Sequence, residues 1–184
     1  MAVPRIVRDS TALLVVDIQE RFIPVIHDGK AVVENSVVAI RAARELGLPV
    51  LTTEQYPKGL GVTVPEVVAV LGDAYEPHEK TAFSACGAEP VCAELRHSAA
   101  KSVVIVGIEA HVCVLQTTLD LLEQGYDVFP VANAISSRDP DNRTLGLERM
   151  RQSGAVLIST EMLVFELLRD ARDPHFKTLQ SLIK

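Results

Sequence analysis

The chain has 184 residues, 48% apolar and 23% charged, the make-up of a single globular domain (1–184) long enough to bury a sizeable core. Its formal net charge of -6 lacks the basic face that an electrostatic grip on nucleic acid requires, and no apolar run is long enough to span a bilayer. Three cysteines at unrelated spacings (Cys86, Cys92 and Cys113) read as reduced thiols, and a beginning without an apolar leader core sets the expectation of a cytoplasmic protein.

In chain order, residues 12–18 form an apolar, β-branched run that ends at Asp17, the pattern of a strand covered on both faces of a parallel sheet. Val33, Val37, Val38, Ile40 and Ala43 recur at helical spacing over residues 31–46, and Gly47 follows as a C-terminal cap. Residues 49–53 then make a second strand. Residues 54–64, with Pro57, Gly59 and Gly61, read as a loop long enough to serve a site, and Pro65 opens a short helix over 66–71. An extended segment over 74–83 and a helix over 89–97 follow.

The stretch 102–122 carries the most information. Val103 to Val106 read as a buried strand, Gly107 as a residue permitting a tight turn, and 111–124 as a helix, which sets Cys113 in a helical first turn. Free N–H groups and the helix dipole at that position favour a thiolate and any oxyanion formed beside it. A fifth strand (126–131), a fifth helix (140–152), a sixth strand (155–158) and a helix from a Thr160 cap to about 170 complete the alternation. The fold class that follows is α/β: a three-layer α-β-α sandwich around a six-stranded, mostly parallel, Rossmann-like sheet. In such sheets ligands bind beyond the carboxyl ends of the strands, where Asp17, the 54–64 loop, Lys80 and the turn before Cys113 converge.

Taken singly, each of these residues has an ordinary explanation. A free cysteine is most often buried and inert, an acid at a strand end often caps or turns, and a lone lysine is usually solvated. Together they make a working unit, because a cation beside a carboxylate and a thiol favours both anionic forms. His111 lies two residues from Cys113, and helical positions two apart do not face each other, so a surface or capping role is expected of it. The histidines show no zinc spacing and no glycine-rich phosphate motif occurs, so neither a metal nor a cofactor is expected.

Three segments resemble the isochorismatase-like cysteine hydrolases: residues 13–22 (LLVVDIQERF), 79–84 (EKTAFS) and 107–114 (GIEAHVCV). Residues 53–61 and 150–155 look like the isochorismatase domain-containing branch and its bacterial relatives. The resemblance implies a catalytic triad of Asp17, Lys80 and Cys113. It also implies a cis peptide between Ile108 and Glu109 and an oxyanion hole formed by the backbone N–H groups of Glu109 and Cys113, in which the Glu109 side chain need not take part. The nicotinamidases of that family hold a metal through an Asp-x-His motif after the second strand, whereas Thr53-Glu54-Gln55-Tyr56-Pro57 stands here, so a metal-dependent nicotinamidase is disfavoured. Phe22, Gln55 and Tyr56 are candidates to line the substrate pocket. The expected activity is hydrolysis of a small amide or related C–N bond through a thioester, in a homo-oligomer whose partner is a small-molecule substrate rather than nucleic acid or membrane. The alternative is a catalytically silent family member acting as an oligomeric scaffold or binding protein.

Overall fold

Every residue of β1 (Thr11–Val16) is buried, so both of its faces must be covered. The computed structural model describes residues 3–183; Met1, Ala2 and Lys184, at the two ends of the expected domain, lie outside the described residues. β1 pairs in parallel with β2 (Val50–Gln55) on one side and β4 (Ser102–Ile108) on the other. β3 (His78–Lys80) adds to β2, and β5 (Asp127–Ser136) adds to β4, also in parallel. The order is β3-β2-β1-β4-β5, which puts the reversal of strand order between β1 and β4.

Strand periodicity sorts the core. Leu13, Val15, Val104 and Val106 pack on one face against α1 (Gly29–Glu45), α3 (Pro65–Leu71), α7 (Thr160–Leu168) and α8 (Phe176–Ser181). Ala12, Leu14, Val16, Val103 and Ile105 pack on the other against α4 (Glu89–His97), α5 (Cys113–Glu123) and α6 (Pro140–Gln152). A single short turn of helix, α2 (Pro57–Leu60), interrupts the segment read as a loop. Among the described residues no helix is long and apolar enough to cross a membrane.

The expected sixth strand is corrected: the sheet has five. Residues 155–158 do run beside β5, with Val156 N donating to Val128 O at 2.9 Å and Ile158 N to Pro130 O at 3.1 Å, but they form only an isolated bridge, Val131 to Ile158. The segment is cut short on both sides. Gly154, at φ +110°, precedes it, and Ser159 follows as the cap of α7, its hydroxyl accepting from Met162 N at 3.1 Å. The cap expected of Thr160 therefore belongs to Ser159, and the Thr160 hydroxyl bonds Asn133 and Asn35 instead. Gly107 is also read differently. It lies inside β4 opposite Val16 at φ +127°, where a Cβ would stand 2.0 Å from the Val16 carbonyl oxygen, so the glycine permits a close approach of strands rather than a turn.

β5 is irregular between its two halves. Ile105 of β4 faces Pro130 while Gly107 faces Ile135, so residues of β5 bulge outward between those pairs. Arg143 of α6 holds the bulge by donating to the carbonyls of Ala132 and Ile135. The returning end of the strand delivers Ser136, Ser137 and Arg138 to the loop that carries the cysteine.

Candidate active site

Asp17 leaves β1 at φ 53°, a left-handed conformation that aspartate tolerates better than most side chains. It is fully buried, and a buried carboxylate needs partners. Oδ1 accepts from the Thr53 hydroxyl at 2.7 Å, and Oδ2 accepts from Lys80 Nζ at 2.7 Å. The bonds come from the ends of β2 and β3, so the strand order β3-β2-β1 is what brings the lysine to the aspartate.

Lys80 is only 5% exposed, and its ammonium has four acceptors: Asp17, Gln55 Oε1 at 2.6 Å, Phe83 O at 3.0 Å and Ala82 O at 3.3 Å. Three protons shared among four acceptors leave none for a ligand. Its part in the site is therefore a fixed positive charge rather than a donor to substrate.

Cys113 opens α5 and is 4% exposed. Burial first and the Asp17 charge second together push its thiol up to about 12, with the Lys80 charge drawing it back only in part. The expectation of a favoured thiolate is thus corrected. Desolvation by the surrounding core is a tertiary effect, and it is the largest influence on this thiol. The group at rest is a thiol that must lose its proton to react.

The turn before Cys113 has the cis peptide bond between Ile108 and Glu109. Glu109 O accepts from Val112 N and Val114 N, both at 3.1 Å, and Ala110 N donates to Ser136 O at 2.8 Å. Among the described residues the N–H groups of Glu109 and Cys113 take no protein acceptor. These are two donors, one beside the cysteine and one on the turn leading to it.

The three pocket candidates fare differently. The Gln55 amide is used at both ends, accepting from Lys80 and donating to Thr81 O at 2.9 Å, so it holds the lysine rather than facing a ligand. Phe22 packs half-buried on the small cluster of Ile26, Val32 and Ile108, under the cis peptide. Tyr56 is 55% exposed and lines a cavity of about 390 Å³ with Pro57, Lys58, Glu79, Lys80 and Thr81. That cavity reaches the buried Asp17–Lys80 pair through Lys80; Asp17 and Cys113 are not among its lining residues.

His111 bonds Ser137 Oγ through Nδ1 at 2.9 Å, half-buried, instead of facing the cysteine. Among the described residues no group of three or more His, Cys, Asp or Glu side chains is placed to hold a metal. Glu54, where the metal motif would fall, is buried, with one carboxylate oxygen accepting from Thr63 N, Thr63 Oγ1 and Tyr75 O–H at 2.7 Å each.

Two residues escaped the sequence reading. Thr53 is a polar residue at the end of a buried strand, the signal that singled out Asp17. Gln19 is fully buried; its amide donates to Gln55 O and Gly61 O and accepts from Gln55 N, which fixes the end of β2 against the loop after β1. Nothing in the sequence marks that role.

The isochorismatase domain model matches residues 11–162. Isochorismatase family protein 1B of Dictyostelium discoideum is 43% identical over 98% of this chain and 89% of its own length. A solved structure described as MAR1 ribonuclease from Caenorhabditis elegans superposes with a TM-score of 0.94 at 42% identity, covering 98% of this chain and 92% of that one. The YcaC gene product of Escherichia coli, described as an octameric hydrolase of unknown specificity, gives a TM-score of 0.91 at 26% identity, covering 99% of this chain and 92% of that one.

Proposed function

This chain belongs to the isochorismatase-like hydrolase family, and on that premise we propose that it hydrolyses a small amide or related C–N bond through a thioester at Cys113. The observation that carries the reading is that Asp17 and Lys80, from different strand ends, form a buried pair whose charges act on the Cys113 thiol. Because that thiol holds its proton at rest, attack and proton transfer go together. Cys113 Sγ bonds to the substrate carbonyl carbon as its proton passes to the Asp17 carboxylate. The carbonyl electron pair moves onto oxygen, which the N–H groups of Glu109 and Cys113 hold.

Collapse of the adduct breaks the C–N bond, and the amine leaves with the proton from Asp17. Water then gives a proton to Asp17 and attacks the thioester, the C–S bond breaks, and the sulfur recovers the proton. Lys80 holds Asp17 in place and offsets part of the negative charge that builds between them.

The C. elegans relative is described as a ribonuclease, so RNA belongs beside amides in any substrate panel. Against RNA stand the net charge of -6 and a site lysine whose protons are all engaged, since phosphodiester binding relies on free cations. Assembly into a homo-oligomer is the companion expectation, supported by the octameric E. coli relative and by Met162 and Phe165 of α7, 52% and 42% exposed. The deciding experiment is a panel of small amides, imides and single-stranded RNA with Cys113→Ala as control. Amide turnover lost in the variant supports the reading; RNA cleavage that persists in the variant, with no amide turnover, rejects it in favour of nucleic-acid chemistry. No turnover of any substrate by the wild-type chain favours the silent scaffold.

A further inference from the structure

The segment that follows β5 is joined to the cysteine loop by a run of adjacent hydrogen bonds. Ala110 N donates to Ser136 O at 2.8 Å, His111 Nδ1 and Ser137 Oγ share a bond at 2.9 Å, and Arg138 donates to Glu109 Oε1 from both its main-chain N (2.9 Å) and its Nε (3.1 Å). Residues 109, 110 and 111 are thus each tied to one of 136, 137 and 138. The far side of the segment is tied as well: Ser136 Oγ donates to His27 O at 2.6 Å, and His27 N donates to Ser137 O at 3.0 Å. On the cysteine loop's other flank lies α6, whose Gly146 has room for no Cβ, since one would meet Ala110 O at 2.8 Å and His111 N at 2.9 Å.

Glu109 is 3% exposed, so its carboxylate without Arg138 would be a bare charge in the core, one bond path from an N–H meant to receive an oxyanion. Arg138 neutralises that charge with a bifurcated grip on a single oxygen, while its side chain stays 61% exposed. Ser137 is fully buried, and the only side-chain partner of its hydroxyl among the described residues is His111. The brace therefore fixes both the orientation and the charge of the loop that presents the two donors.

We propose that Ser137 and Arg138 are positioning residues, which hold the 109–113 loop so that the N–H groups of Glu109 and Cys113 converge on one oxygen. The inference rests on the oxyanion role assigned to those two groups. Correct placement of the donors is then a property of the β5 end, 24 and 25 residues away in sequence from the cysteine it serves. An oxyanion-hole contact gains its value from placement at the developing charge, so loosening it lowers kcat more than it raises KM.

The test uses the full chain with p-nitroacetanilide as the probe amide, together with amide hydrogen exchange over residues 109–113, which needs no substrate. Ser137→Ala and Arg138→Ala are each expected to speed exchange there by about tenfold and to lower kcat by about tenfold, with KM changed by less than about threefold. Ser137→Thr, which keeps the hydroxyl, and Arg138→Lys, which keeps a cation, are expected to recover part of both effects. Wild-type exchange in both alanine variants overturns the proposal, as does a loss confined to KM or one that the conservative variants fail to relieve. If the wild-type chain leaves p-nitroacetanilide intact, that result counts against the amide reading alone, and the exchange rates still decide whether the brace exists.

Discussion

Cys113 and Cys86 are two thiols of nearly equal acidity in different company. Burial pushes both up to about 12. Around Cys113 the charges are those of the buried Asp17–Lys80 pair, the proposed base and its counter-ion. Around Cys86 stand the Cys92 thiol and the Ser84 hydroxyl, whose oxygen accepts from Cys86 N at 3.1 Å, with the Asp120 charge adding a small upward push. Intrinsic acidity therefore does not separate the proposed nucleophile from Cys86. What separates them is a neighbour able to take the proton at the moment of attack.

The largest effect is expected from exchanging the two thiols' fates by mutation. Cys113→Ala should lower amide turnover by roughly a thousandfold or more, whereas Cys86→Ala should leave it within about twofold, read from kcat/KM on the same amide. Equal losses from both substitutions would end the distinction.

Asp17→Asn tests it next, through two readouts of opposite sign. Without its base, turnover should fall by roughly a hundredfold to ten-thousandfold. Without the carboxylate's charge, the Cys113 thiol should ionise more easily, so iodoacetamide should label it faster at pH 8–9 than in the wild-type chain. Slower labelling in the variant would show that Asp17 holds the sulfur in place rather than opposing its ionisation. Thr53→Val removes a single 2.7 Å bond to the same carboxylate, and its expected loss of kcat is smaller, about tenfold.

The smallest effect concerns stability and treats the two thiols alike. A thiol has a pKa of roughly 8.5 when unfolded, and both of these stand at about 12 when folded. Between those values the folded state keeps protons that the unfolded state has lost. The stabilising contribution is therefore complete below the unfolded pKa and declines as pH rises toward the folded one. Alkaline unfolding followed by circular dichroism should begin above about pH 8.5, and Cys86→Ser should move its midpoint upward. An unmoved midpoint would show that the Cys86 thiol titrates as in the unfolded chain.

The three candidate residues Asp17, Lys80 and Cys113 stood out because each sits where a strand stops or a helix starts, and because three motifs fell in a familiar order. The layered α/β plan followed from the alternation of β-branched runs with helical periodicity. The sixth strand was not legible as a bridge, because its shortness depends on Ser159, rather than Thr160, capping α7. The roles of Gln19, Gln55 and Ser137 were hidden for another reason. A polar side chain in a loop or at the last position of a strand has no periodic signature, and the partners lie at separations of 36, 26 and 26 residues. The state of the Cys113 thiol was misread because a helix terminus is visible in sequence and the packing that desolvates it is not.

The buried, protonated Cys113 thiol has a bearing on durability. With its pKa pushed up well above the usual thiol range, Cys113 keeps its proton near pH 7, and it is the ionised sulfur that peroxides and adventitious alkylators attack. The protein at rest therefore resembles a tool kept in its sheath. Encounters with indiscriminate electrophiles are mostly harmless, and on the proposed mechanism the edge is exposed only to a reactant small enough to enter and shaped to draw the proton onto Asp17.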